Sequence, residues 1–456
     1  MCRVALLFFF AFAWAAFFPS SEAPAQVQAP PPRPNVLLIV ADDLGYGDLG
    51  CYGARHIRTP HLDRLASQGV RFVQFYANGP ECTPTRTALM TGRYQQRVGG
   101  LECAIGFGNV GRYDDAVRLQ KRDELGLPPT EATLPQLLHR AGYATALAGK
   151  WHLGYLDKFS PRRHGFEQAV YILGGGVDYF YHCEPQGLHT LRHNGKPLRR
   201  DGQYMTHLIT QEALRFLRTH DGRRPFFLYV PYTAPHFPYQ GPKDRREGPL
   251  PPEEFTRGDY ATYRVMIEEM DRGIGQLLEE LRRRGWEEQT LVVFFSDNGP
   301  TPLGSAGPFR GHKGGTFEGG IRVPAIVRWP GHLPAGRVIR QVALSMDLTA
   351  SILAAAGVQT PRPLDGIDVL RLVARGEQVP RTVFWRQRRG QRTWWAVRRG
   401  AWKYVRRRDA QGEQEYLFHL EQDPAEAWNR LRQYPQVAAE LKRLLQRWEQ
   451  QVRAPR

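Results

Sequence analysis

Four short apolar runs stand out along the chain, and each gives way to polar residues. Asn35–Ala41 stops at Asp42-Asp43, and 143–148 stops at Gly149-Lys150-Trp151-His152. The run 225–230 leads to Ala234-Pro235-His236, and 291–296 ends at Asp297-Asn298-Gly299. Apolar runs without polar interruption predict strands buried on both faces, the habit of a parallel sheet. Between them, apolar residues recur at helical spacing over 60–68, 85–93, 133–141, 205–219 and 260–284. Strand–helix alternation predicts an α/β fold, a large and mostly parallel sheet flanked by helices. Ligands of such sheets bind beyond the carboxyl ends of the strands, where all four polar clusters fall.

Past residue 365 the pattern changes. Basic and aromatic residues alternate over 381–408, which predicts antiparallel strands with one solvated face. A closing helix is predicted near 436–452. The chain therefore divides into a large α/β part, 35–365, and a small C-terminal α+β part, 366–456. At the other end, Arg3 precedes an apolar run from Val4 to Phe18, followed by Ala23-Pro24-Ala25. That run is short for a membrane span and fits a secretory signal over 1–25. A Pro-rich linker over 26–34 follows. The expectation is an exported protein, periplasmic or extracellular, without a transmembrane anchor. In an oxidising compartment Cys51, Cys82, Cys103 and Cys183 could close one or two disulfides.

Charge adds a question rather than an answer. Lys and Arg number 62 against 45 Asp and Glu, a formal +17 that points to an acidic partner of some kind. Only eight of the basic residues are lysines. Two of these, Lys150 and Lys313, lie in the polar clusters.

The chemistry of the clusters is more specific. Asp42, Asp43, Asp297 and Asn298 are hard oxygen donors on neighbouring strand ends, and such a set favours Ca²⁺ or Mg²⁺ over Zn²⁺. Helix capping is the plainer use of the same residues. Lys150, His152, His236 and Lys313 could neutralise a tetrahedral oxyanion, sulfate or phosphate, and protonate a leaving alcohol. Cys82 precedes Pro84 and a helical stretch, so it would lie at the positive end of a helix. It reads as either an activated thiolate or a buried structural cysteine.

Longer motifs connect these residues. They are Cys82-x-Pro84-x-Arg86 followed by Ala88-Leu-Met-Thr-Gly-Arg93, and Gly142-Tyr-x-Thr-Ala-x-Ala-Gly-Lys150-Trp-His152-Leu-Gly154. Lys313-Gly-Gly-Thr-Phe-Glu-Gly-Gly-Ile-Arg-Val-Pro324 is a third. With the Asp and His clusters they make the chain resemble a type I sulfatase, the arylsulfatase-like branch of the alkaline phosphatase superfamily. The resemblance runs from about Arg33 to the last helix.

It implies an alkaline-phosphatase-like fold and a sulfuric ester hydrolase acting on a sulfated carbohydrate or an aryl sulfate. It implies that a separate maturase reading C-x-P-x-R oxidises Cys82 to formylglycine, whose hydrate attacks sulfur. Asp42, Asp43, Asp297 and Asn298 would hold one Ca²⁺, or Mg²⁺, with residue 82. Arg86 and Lys150 would orient the hydrate, His152 would be the base that regenerates the aldehyde, and His236 and Lys313 would bind sulfate oxygens. Thr85 departs from the Ser or Ala usual in the family. The alternatives are a phosphate or phosphonate ester hydrolase on the same scaffold and a non-catalytic polyanion binder; nucleic acid is not an expected partner. The segment 99–130 carries no readable motif and is expected to rim the pocket.

Overall fold

A computed structural model describes residues 1–2, 33–107 and 113–453. All but the first two residues of the predicted signal, and nearly all of the linker, lie outside the described residues. The main sheet has ten strands, in the order Arg337–Ile339, Val70–Phe72, Ala325–Arg328, Thr290–Ser296, Asn35–Ala41, Phe226–Pro231, Ala144–Lys150, Gln168–Ile172, Leu191–His193 and Lys196–Pro197. Its centre is parallel: Leu37 pairs with Leu228 on one side and Val292 on the other. Ala325–Arg328 and Leu191–His193 run antiparallel to their neighbours, so the sheet is mixed.

Why the central runs are apolar at every position follows from which face each residue serves. Leu37, Ile39 and Ala41 share a core with Leu62 and Leu65 of helix Pro60–Gln68, Leu208 and Leu217 of Met205–Thr219, and Met270 and Leu277 of Tyr260–Arg283. Val36, Leu38 and Val40 face the opposite core, with Leu137 and Leu138 of Leu134–Arg140 and Leu348 and Ile352 of Ser345–Ala355. Each fully buried side chain of this size contributes roughly 1.5–3 kcal/mol. A polar residue on either face would forfeit that and add a desolvation cost.

The C-terminal residues form a four-stranded antiparallel sheet, Thr382–Arg389, Arg392–Arg399, Trp402–Asp409 and Gly412–His419, crossed by helix Pro435–Gln451. Its apolar face packs Trp385, Val397 and Val405 against Leu441, Leu445 and Trp448. Trp385 Nε1 donates to Ala77 O at 2.9 Å, tying this sheet to the segment before Cys82.

Much of the basic run 381–408 is paired inside the fold. Arg386 bridges Glu102 and Glu449, Arg388 reaches Glu102 and Asp115, and Arg381 holds Asp347. Lys403, wholly buried, lies 2.8 Å from Glu318 and 3.0 Å from Glu426. The expected disulfides do not include Cys51 or Cys183, whose thiols are free.

Candidate active site

The parallel strands deliver their polar ends to one place. Asp42, Asp43, Lys150, Asp297 and Asn298 all have zero exposure, and His152 and His236 are buried. Asp42 N donates to Ala234 O and Asp297 N to Ala41 O, both at 3.1 Å, so the loops after three strands are cross-linked through backbone. Asp43 has a φ of 65°, a left-handed turn that re-aims its carboxylate immediately after the strand. Asp43 N donates to Asp297 Oδ1 at 3.3 Å, and Asn298 Nδ2 donates to Asp43 Oδ1 at 2.7 Å. Asp42, Asp43, Cys82 and His236 each bring one donor atom to within 4.8 Å of the others. Asp297 and Asn298 join this group through Asp43.

Three buried carboxylates face three cations. Lys150 Nζ lies 2.5 Å from Asp42, Lys313 Nζ lies 2.7 Å from Asp43, and Arg86 grips Asp297 through Nε at 2.9 Å and Nη2 at 2.7 Å. The electrostatics split the carboxylates. Burial pushes Asp43 up, but Lys313, His236 and Lys150 together outweigh it and hold the carboxyl at about 2. Burial and the neighbouring Asp42 push Asp297 up to about 6. Asp42 Oδ1 and Asn298 Oδ1 are buried oxygens without a hydrogen-bond partner. Buried unpaired acceptors are costly, and a hard cation would satisfy both. The donor set therefore fits the Ca²⁺ or Mg²⁺ that the sequence points to.

Cys82 opens the helix Cys82–Thr91, three residues earlier than the spacing predicts. It is 1% exposed. Burial pushes its thiol up to about 12, overriding the pull of Lys150 and Lys313. Thr85 Oγ1 accepts from Gly79 N and donates to Gly79 O, closing the turn before Cys82. The threonine at this position thus has a structural use in this chain.

The two histidines have defined tautomers. His152 Nε2 is 2.5 Å from Ile105 O, which requires the proton on Nε2 and leaves a lone pair on Nδ1. That Nδ1 is buried and unpartnered. Burial and Lys150 hold His152 well below the usual imidazole range. His236 Nδ1 is 2.5 Å from Phe237 O, leaving Nε2 to face Asp43 at 3.6 Å. Burial and Lys313 push His236 down to about 3.

Cys82, His152, His236 and Lys313 border a cavity of about 420 Å³. Ala104–Phe107 form part of its wall, as expected for the segment 99–130, of which 108–112 lie outside the described residues. Several wall residues carried no signal in the sequence. A Cβ at Gly175 would lie 3.0 Å from His152 Cε1, and one at Gly176 2.9 Å from His236 Cε1, so this glycine pair makes room for both imidazoles. Glu184, hydrogen-bonded by Tyr155 Oη at 2.7 Å, is pushed up to about 7 by burial. Glu81, immediately before Cys82, receives Arg389 at 2.6 Å, Gln387 at 2.7 Å and Ala104 N at 2.6 Å.

Comparison with known proteins follows the same lines. A family model described as Sulfatase matches residues 34–358, and one described as N-sulphoglucosamine sulphohydrolase, C-terminal, matches residues 312–451. N-acetylgalactosamine-6-sulfatase of Rattus norvegicus is 37% identical over 384 residues, covering 78% of this chain and 68% of that protein. Arylsulfatase A of Bos taurus is 34% identical over 463 residues, covering 89% and 85%. Among solved structures, Ps i-CgsB in complex with k-i-k-neocarrahexaose is similar with a TM-score of 0.78 and 31% identity, over 91% of this chain and 93% of that one.

Proposed function

Because the chain belongs to the sulfatase family and is a type I sulfatase, a sulfuric ester hydrolase, we propose that it releases inorganic sulfate from a sulfated carbohydrate outside the cytoplasm. The relatives named for a sulfated sugar and the solved relative bound to a neocarrahexaose support a carbohydrate substrate. The observation that carries the site assignment is the pair of unpartnered buried oxygens, Asp42 Oδ1 and Asn298 Oδ1, in the cluster that contains Cys82.

In this reading Asp42, Asp43, Asp297 and Asn298 hold Ca²⁺ or Mg²⁺, which when bound supplies positive charge to the reacting oxygens. Oxidised to formylglycine by a maturase that reads Cys82, Pro84 and Arg86, residue 82 supplies the oxygen nucleophile. Arg86 and Lys150 fix the position of residue 82 by holding Asp297 and Asp42. Lys313 remains a cation, because Asp43 raises its pKa further, and it neutralises sulfate oxygens. His236 offers Nε2 to the same group and can carry a proton there to the departing alcohol once an anionic ester is bound. His152 presents a free lone pair at Nδ1, which suits a base that removes a proton from residue 82.

The test is chemical and then enzymatic. Expressed with a maturase, the tryptic peptide carrying Cys82 is expected to be lighter than its cysteine form, and the protein to release sulfate from a panel of sulfated glycans. A protein left unmodified there, or one that cleaves phosphate or phosphonate esters better than sulfate esters, would overturn the reading.

A further inference from the structure

The hairpin between Thr382–Arg389 and Arg392–Arg399 brings its tip to the cavity, and the tip carries an uncompensated charge. Arg389 and Arg392 are directly opposed across the two strands, and both border the cavity. Like charges in that register repel. Glu81 answers only one of them, gripping Arg389 through Nε at 3.0 Å and Nη2 at 2.6 Å.

Arg392 makes no ion pair or side-chain hydrogen bond among the described residues. Its Nε is buried without an acceptor. Its Nη2 lies 3.9 Å from where a Cβ at Gly314 would sit, beside Lys313. Gly314 has a φ of 89°, so a glycine is favoured there and the approach to the guanidinium stays open. A half-buried guanidinium with no anion is costly to keep, and its planar donors match a carboxylate or sulfate bidentately. The remainder of the wall does not supply that anion. Lys313 is already on Asp43, and Glu184 lies among other wall residues, hydrogen-bonded to Tyr155.

We propose that Arg392 forms a second anion subsite at the cavity wall, which takes an acid group other than the reacting sulfate. This deepens the sulfatase reading and rests on it. The substrate class it names is a polyanionic glycan with a second sulfate or a carboxylate on the same or the adjoining sugar. Sulfate and carboxylate share the required geometry, and the experiment separates them.

Three probes serve: N-acetylgalactosamine 6-sulfate, its 4,6-disulfate, and the chondroitin 6-sulfate disaccharide, which adds a uronate carboxylate. Binding is measured calorimetrically to the full chain carrying Cys82→Ala, so that no probe is consumed. The disulfate, the uronate probe or both are expected to bind roughly 10-fold or more tighter than the monosulfate, the worth of one charge-assisted hydrogen bond. Whichever probe shows the gap identifies the acid group. R392Q is expected to abolish the gap and R392K to retain part of it. R408Q removes an equal charge from an exposed position of the same sheet that does not border the cavity, and is expected to leave the gap intact.

No gap in the parent, a gap that survives R392Q, or an equal loss in R408Q would overturn the subsite. Unfolding midpoints of the variants within about a degree of the parent's confirm that binding and not folding is read. Sulfate release by the parent with Cys82 intact tests the sulfatase reading separately, so the two can fail independently.

Discussion

Lys403 offers a perturbation whose size follows from geometry. Its ammonium lies between two buried carboxylates, 2.8 Å from Glu318 and 3.0 Å from Glu426, with zero exposure at all three side chains. At an effective dielectric near 20, each contact is worth roughly 5–6 kcal/mol of Coulomb attraction, most of which offsets the cost of removing the charges from water. Replacing Lys403 by Met keeps the volume and strands two acids. Removing one partner of a buried pair costs about 3–5 kcal/mol, a large share of the 5–15 kcal/mol that a typical fold has in total.

The rescue is equally specific. Glu318 retains Arg322 at 3.1 Å, whereas Glu426 loses the one cation that faces it among the described residues. K403M/E426Q is therefore expected to recover at least half of what K403M loses. The pH dependence has a definite sign. Burial and Glu318 push Glu426 up to about 7, from 4.5 when unfolded, so its ionisation opposes folding as pH rises between those values. Without Lys403 that opposition grows, and the K403M deficit is expected to be smaller at pH 5 than at pH 8. Urea unfolding at both pH values measures this through midpoint and slope. A K403M deficit below about 1 kcal/mol, or a double variant no more stable than the single, would refute the account of this triad.

Three further outcomes are expected. Lys150→Ala and Lys313→Ala should each lower kcat on an aryl sulfate by at least ~10², typical of removing a preorganised charge; near-native turnover in either would reject its role. Chelation should abolish sulfate release and lower the unfolding temperature, with Ca²⁺ restoring both, since the acidic cluster would lose its counter-charge; insensitivity of both readouts would exclude a resident divalent ion. Glu184, held neutral below about 7 by burial against the opposing pull of Tyr155 and Lys150, should ionise as pH rises through 7 and raise KM for an anionic substrate; E184Q should flatten that profile, and an unchanged slope would show that Glu184 does not meet the substrate.

The sequence exposes the parts of the molecule that obey local rules. Asn35–Ala41, Pro60–Gln68 and Met205–Thr219 are legible to the residue, because burial on two faces or one leaves an unmistakable period. The convergence of Asp42, Lys150, His236 and Asp297 follows from parallel strands sharing one carboxyl edge. The wall of the cavity is not legible in this way. Gly175 and Gly176 matter only because two imidazoles far apart in sequence, which follow neighbouring strands, lie against them. Arg392 looks like every other arginine between 381 and 408. Its distinction is that it borders the cavity without a carboxylate partner, and where each carboxylate goes is settled by residues some 300 positions away, such as Glu81 and Glu102. Disulfides were expected from compartment alone, and compartment says nothing about whether two thiols can meet.

The burial of residues 82–86 sets a timetable. Cys82, Thr83, Pro84, Thr85 and Arg86 are all buried in the finished fold, so an enzyme that reads this segment has to meet it while it is still extended. Closure of the cavity, however, awaits Arg389, Arg392 and the Trp385 contact to Ala77, which leave the ribosome some 300 residues after Cys82. At about 5–20 residues per second of synthesis, that spacing keeps the pocket unfinished for roughly 15–60 s. On the formylglycine reading proposed above, the late position of the C-terminal hairpin would act as a delay line, leaving Cys82 within reach of a maturase before the fold seals over it.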